Sequence, residues 1–182
     1  CLISALSQLV RIGVIDESGY IRNAKELRRM GVPVRICQRV REDGEAGERR
    51  ILLSGEVLQK PVFLTASDIR QLQLAKGAIR AGIETLLQKA QIPAKELWRI
   101  YLTGSFGNSL SAEDVTGIGL LPETEKEKIT SVSSCAGMGA AMALLSGQVQ
   151  RKMEEDAEKI CHVELAGEPD FQERFLKEMN FK

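Results

Sequence analysis

The sequence predicts an α/β fold, a sheet covered by helices, and three observations carry that expectation. The second half alternates β-prone and helix-prone runs. The β-prone run WRIYL, residues 98–102, stops abruptly in the small-residue turn T-G-S-F-G-N, and Ser111 then opens a short helix. Upstream, Ile69, Leu72, Ala75, Ile79, Ile83, Leu86 and Leu87 form an apolar stripe along a helix expected over residues 67–90. A strand followed by a tight turn and a helix often places a ligand at the carboxyl end of the strand.

In chain order, residues 2–12 set Leu2, Leu6, Leu9 and Val10 at helical spacing, with Gly13 as C-cap. Asp16 to Gly19 reads as a turn, and Asn23 is a good N-cap for a short helix over 24–29. VRICQRV (34–40) and RRILLS (49–54) then read as two strands, joined as a hairpin by the polar REDGEAGE. Asp43-Gly44 in that connection reads as turn chemistry, against a phosphate- or metal-binding role. PVFLT (61–65) adds a short strand.

Thr65 or Ser67 caps the long helix, and Asp68 lies in its first turn, where a negative charge suits the helix dipole. Gly77 and Gly82 interrupt this helix at about 1 kcal/mol each relative to alanine, which points to close packing. Gln73, Lys76 and Arg80 share one face, which either meets a ligand or is solvated. Beyond the T-G-S-F-G-N turn, Ser111 with Asp114 three residues later marks a helix start. KITSVSS is the next strand, and SSCAGMGAAMALLSG is a helix whose small residues admit another backbone or a ligand. Gly147 breaks the chain before a charged amphipathic helix, HVEL is a last strand, and FQERFLKEM is the final helix.

A chain of 182 residues builds one well-buried domain or two small ones. Its 25 basic and 25 acidic side chains cancel, no basic stripe is visible, and aromatics make up 4%. That composition argues against a nucleic-acid partner. No apolar run approaches the roughly 18 residues that cross a bilayer, which argues against a membrane span. Cys1, Cys37, Cys135 and Cys161 form no C-x-x-C, which argues against a zinc site or iron–sulfur cluster within the chain. Reduced thiols in a cytoplasmic protein are the simplest reading. His162, the single histidine, reads as structural or surface. The chain begins at Cys1 without a methionine, as a piece of a longer protein would. No G-x-G-x-x-G follows a strand, which disfavours a Rossmann enzyme. Gly104 and Gly107 either bring backbone N–H groups close to a phosphate or nucleotide ring, or only make the turn.

LTASDIRQLQLAKGAIRAGIETLL, RIYLTGSFGN, GIGLLP, SSCAGMGAAMALLS and VELAGEPDFQERFLKEMNF follow one another in order. In these stretches the chain resembles the C-terminal part of the reductive activators of corrinoid proteins, over about residues 61–182 and more loosely in the opening helix. The resemblance implies a ribonuclease H-like half of the actin/Hsp70/sugar-kinase superfamily, with a mixed sheet flanked by helices. Residues 1–182 are then a single domain, with a small β-hairpin insertion at 30–60 and a nucleotide-side core at 61–182. A [2Fe–2S] domain and the first half of the superfamily fold are expected outside the chain.

The resemblance also implies ATP with Mg²⁺, coupled to reduction of cob(II)alamin to cob(I)alamin in a corrinoid methyl-carrier protein. It implies a homodimer in the cytoplasm. Gly104, Ser105, Phe106, Gly107 and Asn108 match the adenosine-side turn, with Ser105 in place of the superfamily's second glycine. Gln73, Lys76 and Arg80 fall on the adenine side. Ala136, Gly137 and Gly139 match a hinge or dimer contact. No catalytic residue and no metal ligand is assigned, and the Mg²⁺ ligands are expected outside the chain. The alternative is a non-catalytic docking or dimerisation module without useful ATP affinity in isolation.

Overall fold

The computed structural model describes residues 2–43, 47–54, 60–107 and 109–182, and of Ser105 and Phe106 the backbone alone. Helix α1 (Leu2–Arg11) ends where Gly13 turns the chain at φ +73°. The Gly13 N–H bonds to Val10 O and the Val14 N–H to Leu9 O, both at 2.9 Å, which satisfies carbonyls of the last turn. The Asp16 carboxylate then gathers the N–H groups of Ser18 (2.9 Å) and Tyr20 (3.1 Å) and the Ser18 hydroxyl (2.6 Å). An antiparallel bridge from Ile15 to Ile21 closes this turn. Helix α2 (Ala24–Arg29) starts on a full capping box between Asn23 and Glu26.

VRICQRV is not a strand: Val34–Cys37 is a short helix, α3, with Pro33 at its N-cap, and β1 is confined to Val40–Arg41. Pro33 presets the backbone for a helix start. Cys37 and Val40, three residues apart, are then buried. Strands β1, β2 (Arg50–Leu52) and β3 (Phe63–Thr65) form an antiparallel sheet in that order. Ile51 lies opposite both Val40 and Leu64, and all three are buried.

Helix α4 (Ala66–Ala90) is the longest element, and Thr65 caps it reciprocally with Asp68. Strand β4 (Ile100–Leu102) leads through the one-turn helix α5 (Gly104–Gly107) and α6 (Ala112–Gly117) to β5 (Ile129–Ser131). β4 and β5 pair in parallel, with Leu102 opposite Ser131. Ser111 caps α6, accepting the Asp114 N–H. Helices α7 (Cys135–Leu145) and α8 (Gly147–Ala157) form a hairpin, and α9 (Phe171–Lys177) packs on α4. HVEL forms no strand, and residues 161–164 are irregular. No strand of either sheet pairs with that segment.

Among the described residues the strands lie in two small sheets, one antiparallel and one parallel, flanked by helices. One core runs through the molecule, with Leu6, Ile15, Leu27, Leu64, Ile69 and Ile118 fully enclosed. The glycines of α4 do mark close packing. A Cβ on Gly77 would stand 3.0 Å from Phe175 O, and one on Gly82 3.1 Å from Leu165 Cδ1. No helix among the described residues is long and apolar enough to cross a membrane.

Candidate functional site

Two turns meet at the carboxyl ends of the parallel pair. After β4 the chain enters Thr103-Gly104, and after β5 it enters Val132 to Ser134 ahead of α7. The Val132 N–H bonds to Leu102 O at 2.8 Å. The Cys135 N–H reaches Thr103 Oγ1 at 3.4 Å, so the second turn is tied to the first. Both turns hold a left-handed residue, Gly104 at φ +85° and Ser134 at φ +46°. Adjacent turns at the carboxyl ends of neighbouring parallel strands are the usual place for a ligand in an α/β fold.

The two glycines of the turn differ in kind. Among the described residues nothing lies within 4 Å of a Cβ placed on Gly104, so space is open there above its backbone. A Cβ on Gly107 would lie 2.9 Å from the carbonyl carbon of Leu102, so Gly107 serves the packing of α5 onto β4. The open, exposed backbone at Gly104 fits close approach of a nucleoside. Asn108 lies outside the described residues, as do the side chains of Ser105 and Phe106.

Gln73, Lys76 and Arg80 do share one face of α4, but that face is turned inward and all three are buried. Of the expected apolar stripe, Ile69 is buried, whereas Ile79 and Leu86 are exposed. Gln73 Nε2 donates to Ser18 O at 2.9 Å. Lys76 Nζ donates to the carbonyl oxygens of Glu178 (2.7 Å) and Asn180 (2.6 Å). The Arg80 guanidinium donates to the Leu121 carbonyl and pairs with Glu84 at 2.7 Å, with the Glu178 carboxylate at 3.8 Å. One helix face therefore clasps the 16–20 turn, the GIGLLP segment and the C-terminal tail. Burial lowers the Lys76 pKa, and the Glu178 carboxylate opposes that shift. Arg80 also lines a cleft of about 510 Å³ with Glu84, Pro93, Pro122, Arg174 and Lys182.

Ala136 and Gly137 are exposed on α7, while Gly139 faces α8, its Cβ position 3.6 Å from Met153 Cε. His162, Cys135 and Cys161 are exposed and Cys37 is buried. Among the described residues no group of three His, Cys, Asp or Glu could hold a metal ion. Sequence reasoning missed Thr103, which ties the two turns together, Ser134, the left-handed residue of the second turn, and Glu178, which neighbours Lys76 and Arg80. A β-branched hydroxyl before a glycine turn was the one available hint, at Thr103.

Comparison with known proteins shows the family. The family model of the C-terminal domain of RACo, the ASKHA domain, matches residues 1–182. The corrinoid activation enzyme RamQ of Eubacterium limosum is 29% identical over 187 residues, covering 99% of this chain and 30% of that protein. A [Co(II) methylated amine-specific corrinoid protein] reductase of Methanosarcina barkeri is 26% identical over 133 residues, covering 71% of this chain and 24% of that protein. The solved structure of a reductive activator for corrinoid,iron-sulfur protein superposes with a TM-score of 0.82 at 32% identity. That match covers 99% of this chain and 27% of the other. The chain spans less than a third of the length of each of these relatives.

Proposed function

We propose a function for a chain that belongs to the family of RACo C-terminal ASKHA domains: it is the nucleotide-side half of an ATP-dependent corrinoid activator. The parent protein would reduce cob(II)alamin to cob(I)alamin in a corrinoid methyl-carrier protein. The observation that carries the reading is the pair of left-handed turns at the carboxyl ends of β4 and β5, with open space above Gly104. The relatives named above, corrinoid activators and a corrinoid protein reductase, support the substrate class.

ATP supplies the free energy that shifts conformation or corrinoid ligation before an uphill one-electron transfer. A [2Fe–2S] centre outside this chain would supply the electron. Within the chain, the backbone of Gly104, Ser105, Phe106 and Gly107, with Asn108, takes the nucleoside. Gln73, Lys76 and Arg80 hold the surrounding segments in register, and they reach the adenine side only if the tail and the GIGLLP segment shift. Mg²⁺ is assigned to groups outside the chain. Ala136, Gly137 and Gly139 serve a hinge or dimer contact in a cytoplasmic homodimer.

A second reading is a docking or dimerisation module without useful ATP affinity. The engagement of Lys76 and Arg80 with backbone carbonyls favours it. One experiment separates the two. The intact protein that carries this chain is mixed with a Co(II) corrinoid carrier, an electron donor and ATP–Mg²⁺, and the cobalamin spectrum is followed. Cob(I)alamin that accumulates only with ATP supports the activator. The same yield without nucleotide contradicts it.

A further inference from the structure

The net charge of zero conceals a segregated basic surface. Between Arg22 and Arg41 seven basic side chains stand with a single acid, Glu26. Glu26 is committed to the start of α2, where its carboxylate accepts the Asn23 N–H at 2.7 Å. Leu27 and Cys37 fix the buried sides of α2 and α3, and Lys25, Arg28, Arg29 and Arg35 are turned to solvent. Among the described residues none of these four side chains makes an ion pair or hydrogen bond. Met30 and Val34, 53% and 57% exposed, lie among them. Lys25 and Arg28 also line a cleft of about 790 Å³ with Val40, Glu42 and Asp43. Its two acids are drawn to Arg49 (3.7 Å) and Arg50 (3.0 Å), so they leave Lys25 and Arg28 uncompensated.

Like charges gathered on two short helices repel one another, and among the described residues no ion pair compensates Lys25, Arg28, Arg29 or Arg35. An apolar centre of Met and Val rimmed by Arg has the composition of a protein interface. The segment holds no aromatic side chain on which a base could stack. We infer that the α2–α3 face is a docking surface for the acidic face of a partner protein. In the proposed reaction that partner is the corrinoid carrier, so the inference rests on that reading.

The test uses the intact protein with Arg28→Glu and Arg35→Glu together. The KM for a Co(II) corrinoid carrier is measured at low and high salt, alongside kcat, ATP affinity and sedimentation. Direct binding of the carrier is measured in parallel. The expected result is a KM raised on the order of tenfold at low salt, with kcat and ATP affinity unchanged and the salt dependence flattened. Wild-type KM and salt dependence in the variant overturn the inference. A changed oligomeric state with unchanged carrier binding assigns the face to a second copy and overturns it too. So does loss of heparin binding alone, which assigns the face to polyanions. A wild-type protein that binds the carrier but does not reduce it refutes the proposed activity while leaving docking measurable by the binding arm. If charge reversal unfolds the protein, Arg28→Gln with Arg35→Gln takes its place, with a smaller shift in the same direction.

Discussion

Replacing Lys76 with methionine probes the clasp on the inner face of α4. The residue is 3% exposed, and its ammonium holds two tail carbonyls at 2.7 and 2.6 Å, with the Glu178 carboxylate at 3.9 Å. Lys76→Met keeps the apolar stem and removes the charge. Each hydrogen bond from a charged donor contributes about 1.5–3 kcal/mol. Removing the ammonium also recovers its desolvation penalty, which is several kcal/mol, so the two effects partly cancel. Breaking a buried charged contact by deleting one partner costs about 3–5 kcal/mol. Glu178 retains some contact with water, which places the loss at the lower end, about 3 kcal/mol.

Urea unfolding measures the loss. Hydrogen exchange at the Phe181 amide, which donates to Glu17 O at 2.8 Å, reports whether the tail has come free. The pH dependence adds a sign. Burial lowers the Lys76 pKa in the folded state against the opposing pull of Glu178, so the unfolded chain holds more protons between that lowered value and 10.5. Stability from this group therefore rises with pH through that window, and the rise is absent in Lys76→Met. An unfolding free energy within about 0.5 kcal/mol of wild type, with Phe181 still protected, refutes the clasp. If ATP affinity falls at the same time, Lys76 belongs to the ligand site instead.

Gly104→Val puts a β-branched residue at φ +85° and is expected to lose about 1–2 kcal/mol of stability, whereas Gly104→Asn, which tolerates the left-handed region, loses less. Calorimetric titration is expected to show weaker ATP binding in both, and full affinity in Gly104→Asn contradicts approach of the nucleoside at that position. Gly107→Ala drives a methyl to 2.9 Å from the Leu102 carbonyl carbon and is expected to cost about 1–3 kcal/mol by denaturant titration. An unchanged midpoint shows that the turn is not tightly packed on β4. For Asp16, burial opposes ionisation, but the Ser18 hydroxyl, the N–H groups of Tyr20 and Ser18, and the Arg22 charge together hold its pKa below 3.8. Its contribution is therefore present above that value and lost as pH falls through the folded pKa, and Asp16→Ala is expected to shallow the acid limb of the stability curve.

Signals that act within one turn of chain were legible. Asn23, the choice of Thr65 or Ser67, and Ser111 with Asp114 mark helix starts in the sequence, and Asn23, Thr65 and Ser111 each cap a helix, because capping needs partners only two or three residues away. The strand ending at the T-G-S-F-G-N turn and the helix opened by Ser111 were legible for a similar reason, whereas the parallel pairing of β4 with β5 was not. Long-range partners were not. The carbonyls that hold Lys76 lie 102 and 104 residues away, so nothing local marks the polar side of α4 as its inner side. Val34 to Cys37 has the alternation of a strand, yet Pro33 and the burial of Cys37 make it a helix. Ser134 takes a left-handed backbone without being glycine, which no sequence rule marks. The charge balance of the whole chain hid the basic face of α2 and α3, because acids elsewhere in the chain offset it.

The central claim is that the turns after β4 and β5 form the nucleotide side of the site. Hydrogen exchange in the intact protein, with and without ATP–Mg²⁺, tests it without altering a residue. Slower exchange is expected in peptides spanning residues 100–107 and 131–136 when nucleotide is bound. Binding detected by calorimetry, with exchange in both peptides unchanged, would contradict it.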